Sequence, residues 1–150
     1  WSAGYAQGFE IVGPIYAQFF FEHIDDLLEG ADQQVADLWR WHFAEEYEHR
    51  MVAHDSYIRM GGNWFHRLGI TWTTLKHLAS FNSRAERHLL EVDARNMTPT
   101  QRRQSQGRTR QVHRRLSLFL LSKIVPVLLP WYSPARWREP KGVRRFLEMT

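Results

Sequence analysis

Apolar residues recur at intervals of three and four along most of the chain, and period-two alternation is scarce. Ala, Leu, Glu, Gln and Arg outnumber β-branched residues. The pattern predicts an all-α protein, an antiparallel helical bundle. A first helix is expected over about Tyr5 to Leu28. Gly30 stops it and Asp32 caps the next, which spans about Gln33 to Met60 and ends at Gly61-Gly62-Asn63. A third stretch, about Trp64 to Val92, is weakened locally by Gly69 and by Thr71 to Thr74. Thr98-Pro99 opens a fourth, about Thr100 to Leu129, in which Gly107 and Pro126 argue for a break or a kink. Beyond it, Pro130, Pro134 and Pro140 punctuate an extended surface tail rich in Arg and aromatic residues, closed by a short helix at Val143 to Leu147. The expected division is a helical bundle domain over 1–129 and a C-terminal tail over 130–150, without internal repeats.

At 100° per residue, Val35, Leu38, Trp39, His42, Glu46, His49, Val52 and Ala53 fall within a sector of about 140°. This is the face of the second helix expected to turn toward a core. Glu48, His54 and Asp55 lie outside it, where solvent or a rim partner would hold them. Three inward residues are ionisable, and a lone buried carboxylate is costly unless it is paired or holds a cation. Glu46 and His49 form a Glu-x-x-His unit, one turn apart on one face and within reach of a single ion. Carboxylate with imidazole suits iron, manganese or zinc. Ferritin-like di-metal proteins draw this unit from two helices and a single inward Glu from each of two others. A buried, hydrogen-bonded Glu–His pair is the competing reading.

An antiparallel first helix should then offer one inward Glu at the same height. Counted from the turn at 28–32, Glu46 and His49 lie 14 and 17 residues past it, Glu10 lies 18 before it, and Glu22 only 6. At 1.5 Å per residue Glu10 is level with the motif, whereas Glu22 falls roughly 10 Å or more short. Glu10 also shares a face with Ala3, Ala6, Pro14, Ala17, Phe21, Ile24 and Leu28, while Glu22 is rotated about 120° toward Asp26 and Glu29. Glu10 is the expected ligand and Glu22 the alternative. Pro14 cannot donate to the carbonyl of Glu10, so a kink or bulge is expected there, unless Gly13-Pro14 starts the helix and leaves Glu10 in a loop. His42 and Glu45 are candidates to hydrogen-bond the ligands and orient them. Tyr57, two turns beyond His49, is placed to reach the core, although most inward tyrosines simply pack and hydrogen-bond. His66, His77 and His88 recur every 11 residues about 16 Å apart, too far to share one metal.

Composition narrows the chemistry. A 150-residue chain that is 43% hydrophobic buries roughly 70% of its unfolded surface, so neither disulfides nor a structural zinc cluster are needed. The absence of cysteine excludes thiol catalysis, thiolate metal sites and iron–sulfur clusters, and fits a cytoplasmic location. The chain opens at Trp1 with neither an initiator methionine nor a signal sequence, which leads us to expect an incomplete chain. Residues 1–62 carry eleven acids and three Lys/Arg, net −8, whereas residues 63–150 carry five acids and seventeen Lys/Arg, net +12. The longest apolar run, 116–130, is interrupted by Ser117, Ser122 and Lys123 and is shorter than the roughly 18 residues of a bilayer span. Six arginines between Arg102 and Arg115 precede it, and Trp131, Tyr132, Arg136, Trp137 and Arg138 follow. Such flanks can seat a peripheral protein on an anionic membrane through residues 102–138; an amphipathic core helix with a solvated basic face is the favoured alternative. No recognised motif accompanies the positive charge, so nucleic acid is not an expected partner.

Leu38-Trp39-Arg40-Trp41-His42, Glu45-Glu46-Tyr47-Glu48-His49, Asp55 and Tyr57 together resemble a bacterial family described as predicted metal-dependent hydrolases, whose members look like ferritin-type bundles. The specific match is about 20 residues long; the first helix and the C-terminus match loosely. The resemblance implies a four-carboxylate, two-histidine di-metal centre binding divalent ions, iron foremost and manganese or zinc otherwise. Glu10, Glu46 and His49 would be this chain's share, acting on a small organic substrate. The family description implies a hydrolase, while ferritin-like di-iron sites more often activate oxygen, so an oxidoreductase stays open. The rival class is a non-catalytic helical binding or peripheral membrane module with a structural Glu–His core; iron storage is a weaker third reading. A second Glu and a second Glu-x-x-His are missing here: Glu86-Arg87-His88 has the wrong spacing, and Glu91 has no histidine after it. Either this chain is part of a longer bundle whose other half lies N-terminal to Trp1, which we favour, or two copies pair as a homodimer.

Overall fold

The computed structural model describes residues 2–148, and every regular element among them is helical. In chain order these are α1 (Ser2–His23), α2 (Gln33–Arg59), α3 (Trp64–Ala94), α4 (Pro99–Val127) and α5 (Val143–Leu147), with 3₁₀ turns at Asp25–Leu27 and Pro134–Arg136. The all-α helical bundle expected from the sequence is what forms. Local signals set the boundaries. The Asp32 carboxylate accepts from the amides of Gln34 and Val35, the Asn63 side chain accepts from that of His66, and Thr98 with Gln101 forms a reciprocal capping box ahead of α4. Gly30 and Gly61 turn the chain with φ of 79° at each.

Three expectations are corrected. α1 spans Ser2–His23, starting earlier and ending before the expected Leu28; it runs through Gly13-Pro14, so Glu10 is helical as the favoured reading has it, and Gly107 and Pro126 lie inside α4 without breaking it. Packing of α1 against α2, α3 and α4 offsets the hydrogen bond that Pro14 forfeits. The tail is not a surface appendage: Tyr132, Pro134, Pro140, Val143 and Phe146 are buried, and Val143 and Phe146 share a core cluster with Ala17, Ala44 and Tyr47. The Tyr47 hydroxyl donates to the Trp137 carbonyl at 3.0 Å. Prolines stop a helix from continuing, but they do not stop the apolar residues between them from packing.

The third correction concerns α2. Its buried residues are Ala36, Ala44, Tyr47, His54 and Tyr57, a face rotated by about 130° from the expected sector. Val35, Leu38, Trp39 and Val52 are exposed instead. Small alanines let α2 approach its neighbours closely, and the tail covers the Tyr47 side. His54, expected at a solvated rim, is buried with its Nδ1 3.2 Å from Gln7 Nε2.

α1 is the hub of the bundle, with Ile11, Val12, Ile15, Ala17 and Phe19 buried. α2 returns antiparallel along one side. α3 lies parallel on another, Gly4 against Ile70 and Gly8 against Thr74. α4 runs back beside it, placing Val127 by Ile11 and Phe119 by Phe19. Buried Arg67 of α3 donates to the Leu129 carbonyl and Trp64 to that of Leu128, so a cation meets the negative C-terminal end of α4. α2 and α3 meet at their shared turn, where the Tyr57 ring stacks on His66. Elsewhere a groove opens between them with α1 as its floor. No described helix is long and apolar enough to cross a membrane.

Candidate metal centre

The hairpin of α1 and α2 carries Glu10, Glu46 and His49 at neighbouring positions on its open side. Glu10 and His49 line a pocket formed by α1 and α2 alone, with Ala3, Ala6 and Ala53 around them, while Glu46 lines the adjoining groove. Glu46 reaches across α1 at Gly13, one turn beyond Glu10. A Cβ on residue 13 would come within 2.5 Å of Glu46 Oε2, so the carboxylate occupies the space that the glycine leaves. Local reasons are plain: the i, i+3 spacing stacks Glu46 and His49 on one face of α2, and equal distance from the turn sets Glu10 opposite them.

Electrostatics ties the three together. Burial raises the pKa of Glu10 above the usual carboxylate range, neighbouring Glu46 raises it further, and His49 pulls it back. Glu10 Oε2 is sequestered from solvent and has no hydrogen-bond partner among the described residues. Glu46 is half-buried and His49 exposed, so the motif lies on the open side of the hairpin and not in a closed core. Among the described residues, no three His, Asp or Glu side chains converge closely enough to hold a metal ion by themselves.

The other candidates divide. His42 Nε2 is 3.9 Å from Glu46 Oε1, one turn before it on α2, and its ring packs edge-on against Trp39. Glu45 is half-buried and makes no hydrogen bond or ion pair among the described residues. Tyr57 is buried, but its hydroxyl donates to the Asn63 carbonyl at 2.9 Å and lies 3.0 Å from His66 Nδ1, closing the α2–α3 turn away from the ligands. Glu22 stands about 18 Å further along α1 than Glu10 and accepts from Gln18 Nε2 at 3.1 Å. His77 meets Tyr5. Gly13 belongs to the site as well; its signal in the sequence is a residue without a side chain three places after an inward Glu. The groove continues toward the hairpin turn as an apolar channel past Phe20, Ile24, Val35, Trp39 and Leu116.

A profile of proteins described as predicted metal-dependent hydrolases matches residues 1–137. The chain belongs to this family. No curated protein and no solved structure matches it. For a predicted metal-dependent hydrolase a divalent metal is the implied cofactor, and the residues present fit one in part. A sequestered carboxylate oxygen without a donor, a second carboxylate and an imidazole are the donor types that such a cation takes, on a face open to further ligands.

Proposed function

We propose that this family member is a metal-dependent hydrolase in which Glu10, Glu46 and His49 hold a divalent cation, as half of a ferritin-like di-metal centre. The Glu10 carboxylate carries the reading: one oxygen is sequestered without a partner, a second carboxylate and an imidazole lie beside it, and burial disfavours its charge. A purely structural Glu–His core would satisfy that oxygen. The remaining ligands come from outside residues 2–148, from a further polypeptide segment or a second copy.

A divalent cation bound there supplies Lewis acidity and a water whose pKa falls toward about 7. Glu10 and Glu46 contribute negative charge and His49 a neutral ring nitrogen. His42, one turn before Glu46 on α2, can orient the Glu46 carboxylate. Trp39 and Phe43 form one apolar flank of the groove. The apolar channel beyond them favours a small organic substrate with an apolar body next to its hydrolysable bond.

Elemental analysis of natively purified protein, with its mass in solution, tests this on the wild type and on Glu46→Ala. About one or two metal equivalents, lost in the variant at unchanged helicity, are expected. Metal retained in Glu46→Ala, or a chain that takes up no zinc, manganese or iron even when upstream sequence is restored, overturns the reading in favour of a structural Glu–His core. Hydrolysis in the absence of oxygen, supported by zinc or manganese alike, is the expected activity; oxygen consumption that only iron supports would make the protein an oxidoreductase instead.

A further inference from the structure

The apolar residues of α4 fall into two rows. Val112, Leu116, Phe119 and Val127 turn toward the hairpin of α1 and α2. Leu118, Leu121, Val125 and Leu128 do not, and are 63%, 66%, 59% and 44% exposed. At 100° per residue these four share a sector about 80° wide with Arg103, Arg110 and Arg114. One uncovered face of the helix is therefore cationic along its first half and apolar along its second. α4 contains no acidic residue. Arg115 is engaged by Asp26 at 2.7 Å, but Arg103, Arg110 and Arg114 are exposed and pair with no acid among the described residues.

Two further observations lie at the same end of the molecule. Trp131 follows the apolar row and is 62% exposed. Beside it a cleft of about 380 Å³ is lined by Lys123, Arg136 and Arg138 between Trp131 and Trp137, with no acid in its wall. The apolar row is unexplained by the fold, which already buries the other row. Pairing α4 with itself in parallel would set its arginines against one another. A nucleic acid would use the arginines and leave the leucines in water.

We propose that this face of α4 lies in the headgroup plane of an anionic lipid bilayer. Leu118, Leu121, Val125 and Leu128 enter the acyl boundary, and Trp131 rests at the interface. Arg103, Arg110 and Arg114 meet lipid phosphates. The helix lies on the membrane and does not cross it.

Co-sedimentation of the full chain with phosphatidylcholine vesicles, with and without about three parts in ten phosphatidylserine, tests the proposal. Binding should be strong to the mixed vesicles, about tenfold or more weaker to the neutral ones, and largely reversed by high salt. Arg110→Glu/Arg114→Glu should lower binding about tenfold or more, and Leu121→Asp/Val125→Asp should reduce it to background with helicity and thermal midpoint unchanged. A matched charge reversal on α3, Arg84→Glu/Arg87→Glu, should cost less than about threefold. Equal loss in that control, equal binding to both vesicles, or none to either, overturns the proposal. So does a Leu121→Asp/Val125→Asp variant that unfolds or turns a dimer into a monomer, or tighter binding to duplex DNA or RNA than to the mixed vesicles.

Discussion

Gly8 and Gly13 sit five residues apart on one helix, yet a methyl group at each should act on different properties. At Gly8 a Cβ would meet Thr74 Oγ1 at 2.3 Å and its Cβ at 2.9 Å, atoms held close to the α3 backbone. Gly8→Ala should therefore destabilise the bundle by about 1–2 kcal/mol in denaturant unfolding, despite the better helix propensity of alanine. At Gly13 the obstacle is the end of the flexible Glu46 side chain. Gly13→Ala should leave stability nearly unchanged and instead displace the carboxylate, so the expected loss is in bound metal by elemental analysis. A different residue-scale effect comes from His54. Burial and the Arg67 cation hold its pKa below the ordinary histidine range, with Asp55 a weaker opposing influence. The unfolded chain then binds a proton that the folded chain refuses. This share of stability is fully present above about pH 6.5 and is lost as pH falls from there toward the depressed folded value. The thermal midpoint should fall across that window, and His54→Gln, which cannot take the proton, should flatten the slope.

Among the elements, α5 is the one whose importance its length understates. Five residues form only a turn and a half, too short to be helical alone, yet Val143 and Phe146 are buried against Ala17, Ala44 and Tyr47. Phe146→Ala should cost about 3 kcal/mol and release the segment, so that trypsin cuts at Arg136, Arg138 and Lys141 faster than in the wild type. The same packing explains what could be read in advance about α2. Its ends are written locally: Asp32 caps one and Gly61 follows the other. Its height against α1 follows from counting residues from a common turn, which placed Glu10 beside Glu46 and His49. Its buried face is not local. Val35, Leu38, Trp39 and Val52 carry the strongest periodic signal and remain exposed, whereas Ala44 and Tyr47 are chosen by partners about a hundred positions later in the chain. Periodicity weighs side chains by hydrophobicity alone and cannot register that alanines permit the closest approach.

At the scale of the whole molecule, stability converges on α1. It contacts α2, α3 and α4, and Ile15 at its centre is fully buried. Ile15→Ala should cost about 3 kcal/mol or more and lower the unfolding midpoint equally by tryptophan fluorescence and by helicity, since α2, α3 and α4 all pack against α1. The division of charge along the sequence was legible as two halves of opposite sign. The structure folds them together through the Asp26–Arg115 contact, and leaves the arginines of α4 on a separate face.

The hub position of α1 has a consequence for how the protein is made. The most apolar helix leaves the ribosome well ahead of partners that cover it, since Phe119, Val127 and Val143 are translated about a hundred or more residues after Phe19, Ile11 and Ala17. Tyr47 alone waits 90 positions for Trp137, and Asp26 waits 89 for Arg115. Nascent chains must therefore carry α1 without these partners while about a hundred residues are added, at roughly 5–20 residues per second. A holding chaperone should engage α1, and its grip should loosen only when the segment through α5 clears the exit tunnel.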